Sequence, residues 1–246
     1  MSCCESQCGG DTGQSSILFN ILNRDPQCRE DPSAAAAHPH CSCAPKRKLV
    51  TVRSPQVVLK AASEVLLKTF RFVKNIPCFR GLPAPDQLRL VRNSWAPLLV
   101  LGMVQDRVDF DTVESREPSL LHRILTHSRD DEPGVAVGDV DGIKLFVVKC
   151  RGLKISVKEY AFLKGAILFN SEVMDLECRD YIRALHREAE RALFEHVKTV
   201  HRYGCLRALL STVRSLNPEA VGKLFLRPTS GTTTVDEHVL AAFYER

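Results

Sequence analysis

Six of the ten cysteines, Cys3, Cys4, Cys8, Cys28, Cys41 and Cys43, crowd into the first 43 residues beside His38 and His40. Thiolates and imidazoles are the ligands of structural zinc, which favours a C-x2–4-C spacing around one tetrahedral centre. Cys4 and Cys8 fit that spacing, whereas the adjacent pair Cys3–Cys4 and the C-x-C pair in "HPHCSC" do not. Cys41 and Cys43 are therefore weak zinc candidates, and no metal is expected. Cys78, Cys150, Cys178 and Cys205 are scattered singly and read as small buried hydrophobes. No glycine-rich phosphate loop, G-x-S-x-G or H-E-x-x-H occurs in the sequence. His122, His127, His186, His196 and His201 lie among polar neighbours, where a surface place is the default. Neither an enzyme nor a bound cofactor is expected.

A different feature asks for a partner. In "SSILFNILNRD", residues 15 to 25, Ile17, Leu18, Ile21 and Leu22 line one face of a helix of about two turns. Ser15 or Ser16 supplies an N-cap oxygen. Such a helix is marginal alone in water, so its apolar face must be buried in its own fold or against another protein.

The surroundings of that stripe are poor in core-forming residues. Residues 1 to 48 hold Gly, Ser, Pro and "AAAA" and end near "PKRK" (Pro45 to Lys48), readable as a nuclear localisation signal or as a solvated basic turn. We expect a flexible arm there and a folded domain over 49–246. The start, "MSCCESQCGGD", lacks a basic then apolar leader. No apolar run nears the ~20 residues of a membrane helix. An intracellular, soluble chain without membrane contact is the expectation. The net charge of +5 is spread among acids and is no nucleic-acid footprint by itself.

From Leu49 onward helical periodicity dominates. "SPQVVLKAASEVLLKTFRFVKNI" carries Val58, Ala62, Val65, Leu66, Phe70 and Val73 on one face, and "PAPDQLRLVRNSWAPLLVLGMVQDRV" is apolar nearly all round, as a central helix is. "VDFDTV" reads as a short strand and "EPSLLHRILTH" as a short helix. Residues 128 to 142 read as an acidic loop, and "IKLFVVKCRGL" as a strand or a buried helical turn. "SVKEYAFLKGAILFN", "CRDYIRALHREAERALFEHVKTV", "CLRALLSTVRSL", "EAVGKLFLRP" and "VDEHVLAAFYER" complete a mainly helical domain.

Phe72 to Gln105, "FVKNIPCFRGLPAPDQLRLVRNSWAPLLVLGMVQ", resembles the signature of the nuclear receptor ligand-binding domain, with its "IPCF", its Leu-Pro pair, Asp86-Gln87 and Trp95. "KEYAFLKGAILFN" and "LFLRP" resemble later stretches of the same domain, and the likeness covers residues 53 to 246. It implies an all-α, three-layer helical sandwich. The segment before it has no C-x2-C pair, so the chain as given resembles the orphan receptors that lack a DNA-binding domain. No direct sequence-specific DNA binding is then expected. Features of the arm and of the first core helix lean to one branch of that subfamily, and the length and "HREAERALFEH" to another, leaving the branch open.

The resemblance gives the apolar stripe a role. Leu18, Ile21 and Leu22 form L-x-x-I-L, a variant of the helix by which coactivators enter the groove of a liganded receptor. Each aliphatic side chain is worth roughly 1.5–3 kcal/mol when fully buried, less the cost of ordering the helix. Leu121, Ile124 and Leu125 in "LHRIL" form a second such motif, inside the domain, where core packing is an equal reading. "LRALL" (Leu206 to Leu210) fits the consensus but lies in a core helix and reads as structural. For the chain's own groove, the family pattern places a lysine at Lys74, a basic residue at Arg92 and an acid on the last helix. That last position holds Ala241, and Glu237 or Glu245 would reach it only through a shift of one turn. Glu159 and Arg202 match an ion pair that in the family ties one helix to the loop ahead of a later one, a structural role. The implied function is a transcriptional corepressor that binds other nuclear receptors, displaces coactivators and recruits corepressors, with a homodimer possible and a place in nucleus and cytoplasm. The alternative is a receptor regulated by a lipophilic small molecule.

Overall fold

The computed structural model describes residues 48–115, 134–226 and 234–244. The docking motifs Leu18, Ile21, Leu22 and Leu121, Ile124, Leu125, together with Cys41 and Cys43, lie outside the described residues.

A short strand β1 (Leu49–Val52) leads into α1 (Pro55–Lys74), the one-turn α2 (Pro77–Arg80) and α3 (Ala84–Gln105). Strands β2 (Thr112–Glu114) and β3 (Val135–Ala136) follow, then α4 (Val137–Leu153), α5 (Val157–Leu168), α6 (Arg179–Val197), α7 (Val200–Arg214), α8 (Pro218–Phe225) and α9 (Val235–Tyr244). The fold is mainly helical, with α3 in its middle. Ser94 through Val104 of α3 are all buried, as the near-continuous apolar run predicts. α1, α8 and α9 form one group around it, and α4, α5 and α7 another, with α6 laid on α5 and α7. α1 and α3 approach closely at Gly102, where a Cβ would stand 2.7 Å from Val65 Cγ1.

A three-stranded antiparallel sheet accompanies the helices, with β1 in the middle, Val50 opposite Glu114 on one side and Val135 on the other. The strand expected in "VDFDTV" is β2, whereas β1 and β3 were not foreseen because so short a run has little period to read. "IKLFVVKCRGL" is helix. It belongs to α4, which starts at Val137 inside the stretch expected to be loop. Val140, Ile143, Phe146, Val147 and Cys150 are buried along one face, and that burial outweighs the low helix propensity of Gly138 and Gly142. α7 begins five residues before Cys205, and its Leu206, Leu209 and Leu210 are buried, so "LRALL" faces the core. One buried polar residue pins the layers. Asp86, fully buried at the start of α3, accepts from the backbone N–H groups of Glu177 (2.9 Å) and Cys178 (2.8 Å), tying the entry of α6 to α3.

Candidate partner-docking groove

Lys74 closes the last turn of α1, Phe79 of α2 is buried, and Arg92 stands on the third turn of α3. Pro77 fixes the chain at the first position of α2 and prevents α1 from running on. α9 packs against α1 and α3 between Lys74 and Arg92. The start of α9 is set by a capping box: Thr234 N–H donates to Glu237 Oε2 (2.8 Å) and Glu237 N–H donates to Thr234 Oγ1 (3.3 Å). The T-x-x-E pattern that announces this was present in the sequence. Glu237 is thereby committed locally and does not take the place of the missing acid.

One turn of contacts fastens each end of α9. Near its start, Asp236 Oδ1 accepts from the indole Nε1 of buried Trp95 (3.1 Å), and Asp236 Oδ2 lies 3.8 Å from Arg92 Nε. Near its end, Phe243 meets Phe70 and Phe79 edge-on, with ring centroids 5.2 and 6.3 Å away. Lys74 Nζ lies over the Phe243 ring, 5.0 Å from its centroid. Val239 and Phe243 are buried and Ala242 is half-buried, while Ala241 is exposed on the outer face of the helix. The structure thus brings Lys74 and Arg92 to opposite ends of α9 and turns Ala241 to solvent. Sequence reasoning missed Asp236 and placed Trp95 in the core by its size and its all-apolar helix, without its indole partner. The signal it passed over was the i, i+3, i+4 spacing of Val239, Ala242 and Phe243.

Away from α9, Glu159 and Arg202 meet. Arg202 donates from Nε to Glu159 Oε1 (2.6 Å) and from Nη2 to Oε2 (2.8 Å), and from Nη1 to the Leu153 carbonyl (3.1 Å). Ser156 and Glu159 form the capping box of α5 at the same point. The Arg202 guanidinium, helped by the Ser156 N–H and hydroxyl and opposed by burial, holds the Glu159 carboxyl down at about 2. Arg202 lies in the first turn of α7 rather than in the loop ahead of it. The pair staples the α4–α5 turn to α7.

Other titratable groups are set by burial. The Cys150 thiol is pushed up to about 12. Lys164 on α5 is buried with its ammonium 5.4 Å from the Phe72 ring, and burial holds it below the usual lysine value. His186 is not a surface residue: it is half-buried, its Nδ1 lies 3.0 Å from the Ala166 carbonyl, and burial lowers its imidazole. It lines an open cleft of about 410 Å³ with Glu190, Arg207, Leu210, Ser211 and Arg214 between α6 and α7. Among the described residues no group of three or more His, Cys, Asp or Glu is placed to hold a metal ion, and no helix is long and apolar enough to cross a membrane.

The sequence profile of the ligand-binding domain of nuclear hormone receptor matches residues 45–228. Nuclear receptor subfamily 0 group B member 1 of Sus scrofa is 41% identical over 264 residues, covering 95% of this chain and 56% of that protein. The Homo sapiens protein of the same name is 42% identical over 218 residues, 78% of this chain and 46% of its own. The Rattus norvegicus protein is 35% identical, covering 97% and 56%. The chain spans about half the length of the relatives it matches.

Proposed function

The chain belongs to the nuclear hormone receptor ligand-binding domain family, whose members regulate transcription without catalysis, and on that premise we propose that it is a corepressor that docks on other nuclear receptors. Residues 1–48 serve as the arm and 49–246 as the domain. The helix bearing Leu18, Ile21 and Leu22 enters the groove of a liganded receptor and excludes the coactivator, and Leu121, Ile124 and Leu125 offer a second dock. The domain recruits corepressors or pairs with another copy, in the nucleus and the cytoplasm.

One observation carries the reading. α9 is held against α1 and α3 at Asp236 and Phe243, and Ala241 stands exposed at the position where the family pattern places an acid. Without that acid, the N-terminal donors of a docked coactivator helix lose a charged cap worth about 0.3–1 kcal/mol. A domain so closed is poorly suited to recruit coactivators, while its apolar arm helix is suited to occupy the groove of another receptor. A reporter driven by a liganded receptor tests this. Wild type lowers its output, and Leu18→Ala/Leu22→Ala at equal protein level restores most of it. Undiminished repression by the double variant removes the arm from the mechanism.

A further inference from the structure

Arg207, Leu210, Ser211 and Arg214 recur at i, i+3, i+4 and i+7 on one face of α7, and His186 and Glu190 stand one turn apart on α6. Together they line the open cleft of about 410 Å³. Two of these side chains are fastened to one main-chain group, the Ala166 carbonyl in the last turn of α5, which no helical N–H reaches. Arg214 donates to it from Nη2 (2.7 Å), and His186 Nδ1 lies 3.0 Å away. A ring nitrogen that faces a carbonyl carries the hydrogen, so His186 turns Nε2 toward Glu190, 3.8 Å from Oε1. Among the described residues no carboxylate pairs with the guanidinium of Arg207 or Arg214, and neither Arg207 nor the Ser211 hydroxyl makes a hydrogen bond. Positive charge is therefore set in a cleft without a partner. We propose that this cleft binds a phosphate group, free or carried on a phosphorylated side chain, with Arg207, Arg214 and Ser211 donating to its oxygens and Glu190 accepting its remaining hydrogen.

A guanidinium fork matches two oxygens of a phosphate at once. Glu190 supplies the selection. Burial holds the His186 imidazole below its ordinary value, so at neutral pH it leaves the Glu190 carboxylate uncompensated. That carboxylate repels a fully ionised anion and accepts from one that still carries a hydrogen. A phosphate monoester loses its second proton near about pH 6, so around that pH much of it keeps a P–O–H to donate. Sulfate and carboxylate groups have none to give there. The cleft is open and larger than a lone phosphate requires, with Leu210 as an apolar wall, which leaves room for the group that bears the phosphate.

The test is isothermal titration calorimetry of the full-length chain at about pH 6 and constant ionic strength, the pH at which a phosphate monoester is half ionised. The probes are inorganic phosphate, sulfate, and a phosphoserine peptide beside its unphosphorylated twin. Wild type should bind phosphate at least tenfold more tightly than sulfate. Arg207→Gln, which gives up no contact within the described residues, should weaken phosphate at least tenfold at unchanged helicity. Glu190→Gln should bring phosphate and sulfate to nearly equal affinity. A phosphopeptide at least tenfold tighter than inorganic phosphate assigns the site to a phosphorylated side chain, and no such gain assigns it to free phosphate. The proposal is overturned if wild type binds neither phosphate nor phosphopeptide saturably, if Arg207→Gln binds as wild type does, or if wild type holds sulfate as tightly as phosphate.

Discussion

Replacing Glu159 by glutamine keeps the shape of the side chain and removes its charge, leaving the Arg202 guanidinium facing an amide. The side chain of Glu159 is 4% exposed and that of Arg202 33%, so the pair is shielded on the acid's side. The carboxyl sits at about 2 against an ordinary 4.5. Each unit is worth about 1.4 kcal/mol, so the difference contributes about 3 kcal/mol at pH 7. Because the folded value is the lower one, this stability is fully present above pH 4.5 and is lost as pH falls toward 2. At pH 3.5 about 2 kcal/mol remains. Urea unfolding of wild type and Glu159→Gln at pH 7 and pH 3.5 reads both numbers. The variant should be about 3 kcal/mol less stable at pH 7, or roughly 6–12 °C in melting temperature for a domain of this size. The gap should narrow in acid. A deficit below about 1 kcal/mol at pH 7, or one that does not change with pH, refutes the assignment of the staple to this ion pair.

Further outcomes follow from the same geometry. Gly204→Ala in α7, where a Cβ meets nothing within 4 Å, should stabilise the fold by about 0.5–1 kcal/mol. Gly222→Ala would set a Cβ 2.8 Å from Val235 Cγ1 and should speed hydrogen exchange of the α9 amides from Val239 to Phe243 while the core stays protected. Equal protection of α9 in wild type and Gly222→Ala contradicts the close approach of α8 and α9. Lys164→Met removes a buried ammonium held below its usual value, and should raise the melting temperature at pH 7. Wild type should gain stability as pH rises through the range between its folded and unfolded lysine values, and the variant should lose that gain.

What the sequence made legible was periodicity on a large scale. The stripe Val58 to Val73 and the all-round apolar run of α3 announce helices whose burial is determined by many residues at once, and such signals survive local exceptions. α4 was misread at its start because Gly138 and Gly142 argue locally for a loop, while Phe146 and Ile143 pay for the helix only once α3 and α7 are there to cover them. β1 and β3 offered too few residues for an alternation to show. Lys74 and Arg92 were singled out through their motif, but motif reasoning looks for the acid of the family pattern and not for what replaces it. It stopped at Ala241 and passed over Asp236, whose meaning depends on an indole 141 residues away. Partners distant in sequence are joined by tertiary contacts that no local pattern encodes.

The central claim is that the arm helix occupies a receptor's coactivator groove. The direct measurement is a titration of the full-length chain into a purified liganded receptor domain carrying a labelled coactivator peptide, with wild type against Leu18→Ala/Leu22→Ala. Two leucines at roughly 1.5–3 kcal/mol each predict that wild type displaces the peptide and that the double variant needs at least a hundredfold more protein. Equal displacement by both chains would contradict the account and move the dock to Leu121, Ile124 and Leu125 or to a face of the folded domain.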